Sequence, residues 1–217
     1  DADADPHADQ PVVTAGAPAS VADAVVVALH GRGATAQGVV NLADPLYRHG
    51  VTFVAPQAAR SRWFPYAAGA PIQRNEPHVS SALSAVDRVL ADVADWGVPV
   101  EDVVLFGFSQ GASLAAEYAA RNPRRYGGVV VLSGGLLGPL DHAREYEGSM
   151  DGAPVFLGCG ADDPHVSGER VRETAAVFRD LDADVTERIY DGVGHEVTDE
   201  EFAFAGGLLD EILESGA

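Results

Sequence analysis

Val103-Val-Leu-Phe-Gly-Phe-Ser109-Gln-Gly-Ala-Ser113 is an apolar run of strand length that ends in Gly-x-Ser-x-Gly and passes into a helix-like stretch. A sharp strand-to-helix turn crowds the residues beside its apex, so Gly107 and Gly111, which lack a Cβ, let the Ser109 hydroxyl stand clear. A hydrolase presents a serine nucleophile in this way, and acyl transfer is the leading expectation.

On either side of this stretch lie further apolar runs. Ala24-Val-Val-Val-Ala-Leu29 precedes His30-Gly-Arg-Gly-Ala-Thr35 and a helix-like segment reaching about Arg48. Val51-Thr-Phe-Val-Ala55, Val129-Val-Val-Leu-Ser133 and Val155-Phe-Leu-Gly158 complete the set. None alternates polar with apolar, which is the pattern of a parallel sheet covered on both faces. Between the runs, apolar residues recur at helical steps: Val79, Leu83, Val86, Leu90 and Val93, then Val171, Ala175 and Phe178, then Phe202, Ala205, Leu209 and Ile212. Strand and helix in alternation predict an α/β fold, a doubly wound, mostly parallel sheet with helices on both faces. With 217 residues, 47% of them hydrophobic, the chain suits one domain, expected over 11–217 behind a flexible acidic lead over 1–10.

In such sheets function gathers in loops at the carboxyl ends of the strands. Serine hydrolases of this architecture supply acid and base in the order Ser, Asp, His. Asp162-Asp163-Pro-His-Val166 follows one run and Gly192-Val-Gly-His195 follows the strand-like Val185–Tyr190. His195 is the expected base, since small residues before it permit a tight loop. Asp162 and Asp163 both remain candidates for the acid, the other serving to cap a helix starting near Ser167. The oxyanion needs two N–H donors: Gln110, next to the nucleophile, supplies one, and the His30–Gly33 loop points to Arg32 for the other. Trp63, Phe64 and Tyr66, in a stretch dense in rings and prolines, are candidate pocket walls. Glu76 is expected to favour the N-terminus of the helix that follows it.

Rival chemistries fit less well. Gly31-x-Gly33-x-x-Ala36 has part of a dinucleotide fingerprint, yet the next strand ends in Pro56-Gln57, with no carboxylate for a ribose. The histidines show no His-x-x-x-His spacing and Cys159 is the sole cysteine, so neither a metal nor a cofactor is expected. A buried packing role suits Cys159.

The formal charge is −19, from 33 acidic and 14 basic residues, and every basic residue is arginine. Such a surface repels nucleic acid and looks adapted to high salt. The chain lacks an apolar run of membrane-spanning length, and Asp1-Ala-Asp-Ala-Asp-Pro6 has neither the basic start nor the apolar core of a signal peptide. No membrane insertion is expected, the expected location is cytoplasmic, and a homodimer is the assembly left open.

Taken together, Leu29-His-Gly-Arg-Gly33, Ala55-Pro-Gln57, Gly107-Phe-Ser-Gln-Gly-Ala112, Asp163-Pro-His-Val166 and Gly192-Val-Gly-His195 resemble the phospholipase/carboxylesterase family of α/β-hydrolases over nearly the whole chain. That resemblance implies Asp163, the aspartate before proline, as the triad acid, and Arg32 and Gln110 as the oxyanion donors, with no cofactor. Arg32 stands where the thioesterase branch usually has an apolar residue, and Trp63–Tyr66 with Asn75-Glu-Pro77 looks like the compact bacterial esterase branch. The resemblance therefore implies a carboxylesterase for small soluble esters. A thioesterase or lysophospholipase using the same residues, and a non-catalytic binding protein on a hydrolase scaffold, are the alternatives.

Overall fold

The chain is described by a computed structural model covering residues 5–140 and 143–216. Its strands are β1 (Val12–Gly16), β2 (Ala24–Leu29), β3 (Val51–Pro56), β4 (Val103–Phe108), β5 (Gly128–Leu132), β6 (Pro154–Gly160) and β7 (Asp184–Tyr190). They form one sheet in the order β1-β3-β2-β4-β5-β6-β7, with β1 antiparallel to β3 and the other neighbours parallel. The helices are α1 (Ala36–Leu42), α2 (His78–Asp95), α3 (Gln110–Arg121), α4 (Gly168–Asp180) and α5 (Asp199–Ser215). No helix among the described residues is long and apolar enough to cross a membrane.

Every residue of β2 is fully buried, which requires cover on both sides of the sheet. One face packs against α2, α3 and α4, with Val79, Val86, Leu114, Tyr118, Val171 and Phe178 in its core. The other packs against α1 and α5 through Val39, Val40, Ala205, Leu208 and Leu209. Each large apolar side chain so buried contributes about 1.5–3 kcal/mol.

The chain steps from β2 to β3 on one side and then crosses to β4 on the other, reversing its direction of travel across the sheet. Such a reversal opens a crevice at the carboxyl ends of the two strands it separates. Leu29 is opposite Gly107 in the register, so the loop after β2 lies beside Ser109. Gly160 is opposite Tyr190, which brings the loops after β6 and β7 together at the same edge.

Three local features differ from the sequence reading. The segment after β2 is a helix only to Leu42, because Pro45 in a separate short 3-10 turn interrupts it. β1 is an additional edge strand whose half-exposed Val-Val-Thr-Ala-Gly carries too little apolar pattern to stand out. Residues 1–4 of the acidic lead lie outside the described residues, but residues 5–10 are docked rather than loose: His7 is 2% exposed and its ring is bonded to the backbone of Ala59 and Trp63.

Candidate active site

Ser109 sits at the apex between β4 and α3 with φ 57° and ψ −120°, a conformation that side-chain-bearing residues rarely adopt. The turn is tight enough to dictate its flanking residues. A Cβ on Gly107 would stand 2.3 Å from the Gly111 carbonyl oxygen, and one on Gly111 would stand 2.0 Å from that of Leu29. The Gly-x-Ser-x-Gly spacing is thus a packing requirement between β2, β4 and α3.

The loops after β6 and β7 deliver the other two side chains. His195 Nε2 lies 2.9 Å from Ser109 Oγ and His195 Nδ1 lies 2.7 Å from Asp163 Oδ2. An ionised carboxylate only accepts, so Nδ1 carries the proton and Nε2 is left to accept from the serine hydroxyl. The Asp163 side chain is fully buried and that of His195 is 21% exposed. Burial pushes the Asp163 carboxyl upward, but the bonds from His195 and from the His165 and Val166 amides outweigh it and hold the group below the ordinary aspartate value. The imidazole is steadied by Phe108 and His165, each with ring centroid 4.9 Å away.

Between the two adjacent aspartates the structure is decisive: Asp163 reaches the imidazole, whereas Asp162 is exposed and its amide binds the Val193 carbonyl. Neither caps α4, because Ser167 does so through its own hydroxyl. Thr198 and Glu201 form a capping box on α5, ending the His195 loop in a fixed place. Glu76 accepts from the Ser80 amide in the first turn of α2.

Gln110 and Arg32 each present a backbone N–H at this edge, the first at the start of α3, where amides have no intrahelical acceptor. Their side chains do something the sequence does not disclose. Gln110 Oε1 accepts from Trp63 N at 2.7 Å, and Nε2 donates to Phe64 O at 2.9 Å. Arg32 Nη2 donates to the carbonyls of Phe64, Pro65 and Tyr66 at 2.9–3.1 Å. Together they strap the aromatic loop to the site.

Phe64 and Tyr66 line a cleft of about 410 Å³ with Ser109, Arg32, Gln110 and His195. Trp63, the third candidate wall, does not: it is fully buried between the rings of His7 and His30, and its Nε1–H donates to the His30 carbonyl. Its indole fills space behind the loop instead of facing the cleft. Ser113, Ser133, His165 and Val166 also line the cleft, and an adjoining cavity of about 350 Å³ shares His165 and Val166 with it. Of these, His165 and Val166 had a sequence signal, their place in the stretch that follows Asp163.

A hydroxyl, an imidazole and a carboxylate in this order at the carboxyl edge of a doubly wound sheet define the α/β-hydrolase class. The chain belongs to the Phospholipase/Carboxylesterase family, whose sequence profile matches residues 9–212, and it is a hydrolase of that family. A phospholipase/carboxylesterase from Dyadobacter fermentans DSM 18053 superposes with a TM-score of 0.88 at 38% identity, over 94% of this chain and 97% of that one. The carboxylesterase of Bacillus cereus shares the fold, with a TM-score of 0.75 at 20% identity over 95% and 96% of the two chains. Among curated proteins, acyl-protein thioesterase 1 of Candida albicans is 26% identical over 90% of this chain and 94% of its own. The Debaryomyces hansenii protein of the same name is 30% identical over 54% of this chain and 51% of its own, so there the match spans about half of each.

Proposed function

We propose that this chain is a serine carboxylesterase for small soluble esters. Ser109 attacks the ester carbonyl as His195 takes its proton, Asp163 holds the imidazole and stabilises the imidazolium, and the Arg32 and Gln110 amides receive the oxyanion. His195 then returns the proton to the departing alkoxide. Water, activated by the same imidazole, releases the acid and restores the serine. The observation that supports this reading best is the relay from Ser109 Oγ through both ring nitrogens of His195 to Asp163, opening onto a cleft of about 410 Å³.

A fluorophosphonate probe is expected to label the wild type and not Ser109→Ala, and the variant is expected to lose hydrolysis of 4-nitrophenyl acetate by about 10⁴-fold or more. Undiminished turnover by a folded Ser109→Ala would remove the assignment.

A thioesterase reading draws support from the acyl-protein thioesterases among the curated relatives. Matched oxygen and sulfur esters of the same acyl chain, compared by kcat/KM over graded chain lengths, separate the two. The carboxylesterase reading expects no gain for the thioester once each substrate is corrected for its own rate with hydroxide.

A further inference from the structure

We infer that the ester taken by this site carries a carboxylate several bonds from the scissile carbonyl, received at the cleft mouth by the guanidinium groups of Arg32, Arg62 and Arg74. This inference rests on the esterase reading above and names the substrate class within it.

The first observation is in the distribution of charge along the chain. Acidic residues number 33 in 217, enough to place several in any stretch of this length, yet none occurs from Pro45 to Asn75. That same stretch holds Arg48, Arg60, Arg62 and Arg74. Arg48 is turned to the far side and pairs with Asp210 at 2.7 Å. The other three flank or belong to the loop that walls the cleft, and Arg32 joins them from the loop after β2.

The second is in the pairing. The chain has more than two carboxylates for every arginine, and among the described residues most arginines elsewhere pair with one, as Arg88 does with Asp5, Arg121 with Glu117, Arg170 with Glu173 and Arg179 with Glu187, Arg124, Arg125 and Arg172 being the exceptions. Among the described residues, no carboxylate lies within ion-pair distance of Arg32, Arg62 or Arg74. Their contacts orient them without neutralising them. Arg32 is held by three carbonyls, and the Arg74 guanidinium lies over the Tyr66 ring, 4.4 Å from its centroid. Burial, and then the charge of Arg62 nearby, hold Arg32 below the ordinary arginine value. A cluster of like charges opposes folding, and one Asp or Glu in the loop would relieve it.

The third is placement. Arg32 and Tyr66 line the cleft that contains Ser109, and Arg74 lies over the Tyr66 ring, so these two charges stand at its mouth, with Arg62 near enough to Arg32 for their charges to interact. The loops after β6 and β7, which the strand order puts on the other side of β4 from the loop after β2, carry exposed Asp162, Asp191 and Glu196 near Asp163 and His195 in sequence. The cleft is polarised, and an anionic substrate end is directed to the aromatic loop. The net charge of −19 would repel an anion at a distance, but at physiological salt charges beyond about 8 Å are screened, and the arginines at the mouth dominate within the cleft.

Both a monoester of a dicarboxylic acid and an ester of a hydroxy acid present this carboxylate, on the acyl and the alcohol side respectively. Two matched pairs distinguish them: 4-nitrophenyl hydrogen adipate against 4-nitrophenyl hexanoate, and 3-acetoxybenzoate against phenyl acetate, each corrected for its rate with hydroxide. In at least one pair the anionic ester is expected to have the higher kcat/KM, mainly through KM. The double variant Arg62→Gln/Arg74→Gln is expected to lower that anionic-to-neutral ratio by about fivefold or more, a gap that shrinks toward 1 M salt. Arg125→Gln, which removes one such charge far from the cleft, is expected to keep the wild-type ratio. Preference for the neutral ester in both pairs, or a ratio that the double variant leaves unmoved, overturns the inference. Failure to hydrolyse any of the four, with Ser109 unlabelled by the fluorophosphonate, overturns the esterase reading itself and this inference with it.

Discussion

At most positions glycine destabilises a protein relative to alanine, by about 0.4–1 kcal/mol, because it leaves the unfolded chain more freedom to lose. Position 109 is expected to reverse that order. The serine is held at φ 57° and ψ −120°, and a non-glycine residue in such a region stores about 1–3 kcal/mol of strain. Both Ser109→Ala and Ser109→Gly lose the same hydrogen bond to His195, and neither loses a helix cap, since the serine side chain does not cap α3. Only the glycine variant releases the strain. Setting the two effects against each other leaves it more stable than the alanine variant by about 0.5–2 kcal/mol. At a urea dependence of about 2–3 kcal/mol per molar, the unfolding midpoint should move up by about 0.2–1 M. Equilibrium urea unfolding of both variants, followed by tryptophan fluorescence, measures the difference, and neither should hydrolyse a nitrophenyl ester. A glycine variant that unfolds at lower urea than the alanine variant would show that the turn is not strained and refute the reasoning.

Gln110→Ala keeps the backbone N–H at 110 but strips the buried Trp63 amide of its acceptor. About 1–3 kcal/mol of stability should be lost, with a raised KM as the Phe64–Tyr66 wall loosens, read by urea unfolding and steady-state kinetics. Asp163→Asn should fold normally while kcat falls by about 10⁴-fold, because an amide facing Nδ1 favours the wrong tautomer of His195. Gly111→Ala has no room for its methyl against the Leu29 carbonyl, and soluble yield or thermal midpoint should drop sharply. Stability should also fall as pH drops below about 6.5. Burial holds His7, His30 and His78 below that value, so over this range the unfolded chain binds more protons than the folded one. The slope for each histidine is at most about 1.4 kcal/mol per pH unit, and His7→Phe should flatten the pH profile of the urea midpoint.

Much of this was legible in the chain because local chemistry imposed it. A buried parallel strand must be apolar throughout, and a serine elbow must be flanked by residues without a Cβ, so β2 to β6 and the Ser109 turn are written in residues 24–29, 51–56, 103–111, 128–132 and 154–160. The order of Ser109, Asp163 and His195 follows from strand order and is likewise visible. Edge strand β1 was not, because a half-exposed strand needs little apolar character.

Whatever depends on a partner distant in sequence was decided only by the tertiary structure. Asp162 and Asp163 are alike in composition, and it is the pairing of β6 with β7 that brings His195 to the second. Trp63 reads as a pocket wall until His7, some fifty residues earlier, and His30 enclose it. Arg32 reads only as a backbone oxyanion donor until its guanidinium is seen to strap three consecutive carbonyls of the aromatic loop. Periodicity and turn chemistry act over a few residues and leave their mark in the sequence, whereas the direction of a side chain in a loop is set by whatever the fold places opposite it.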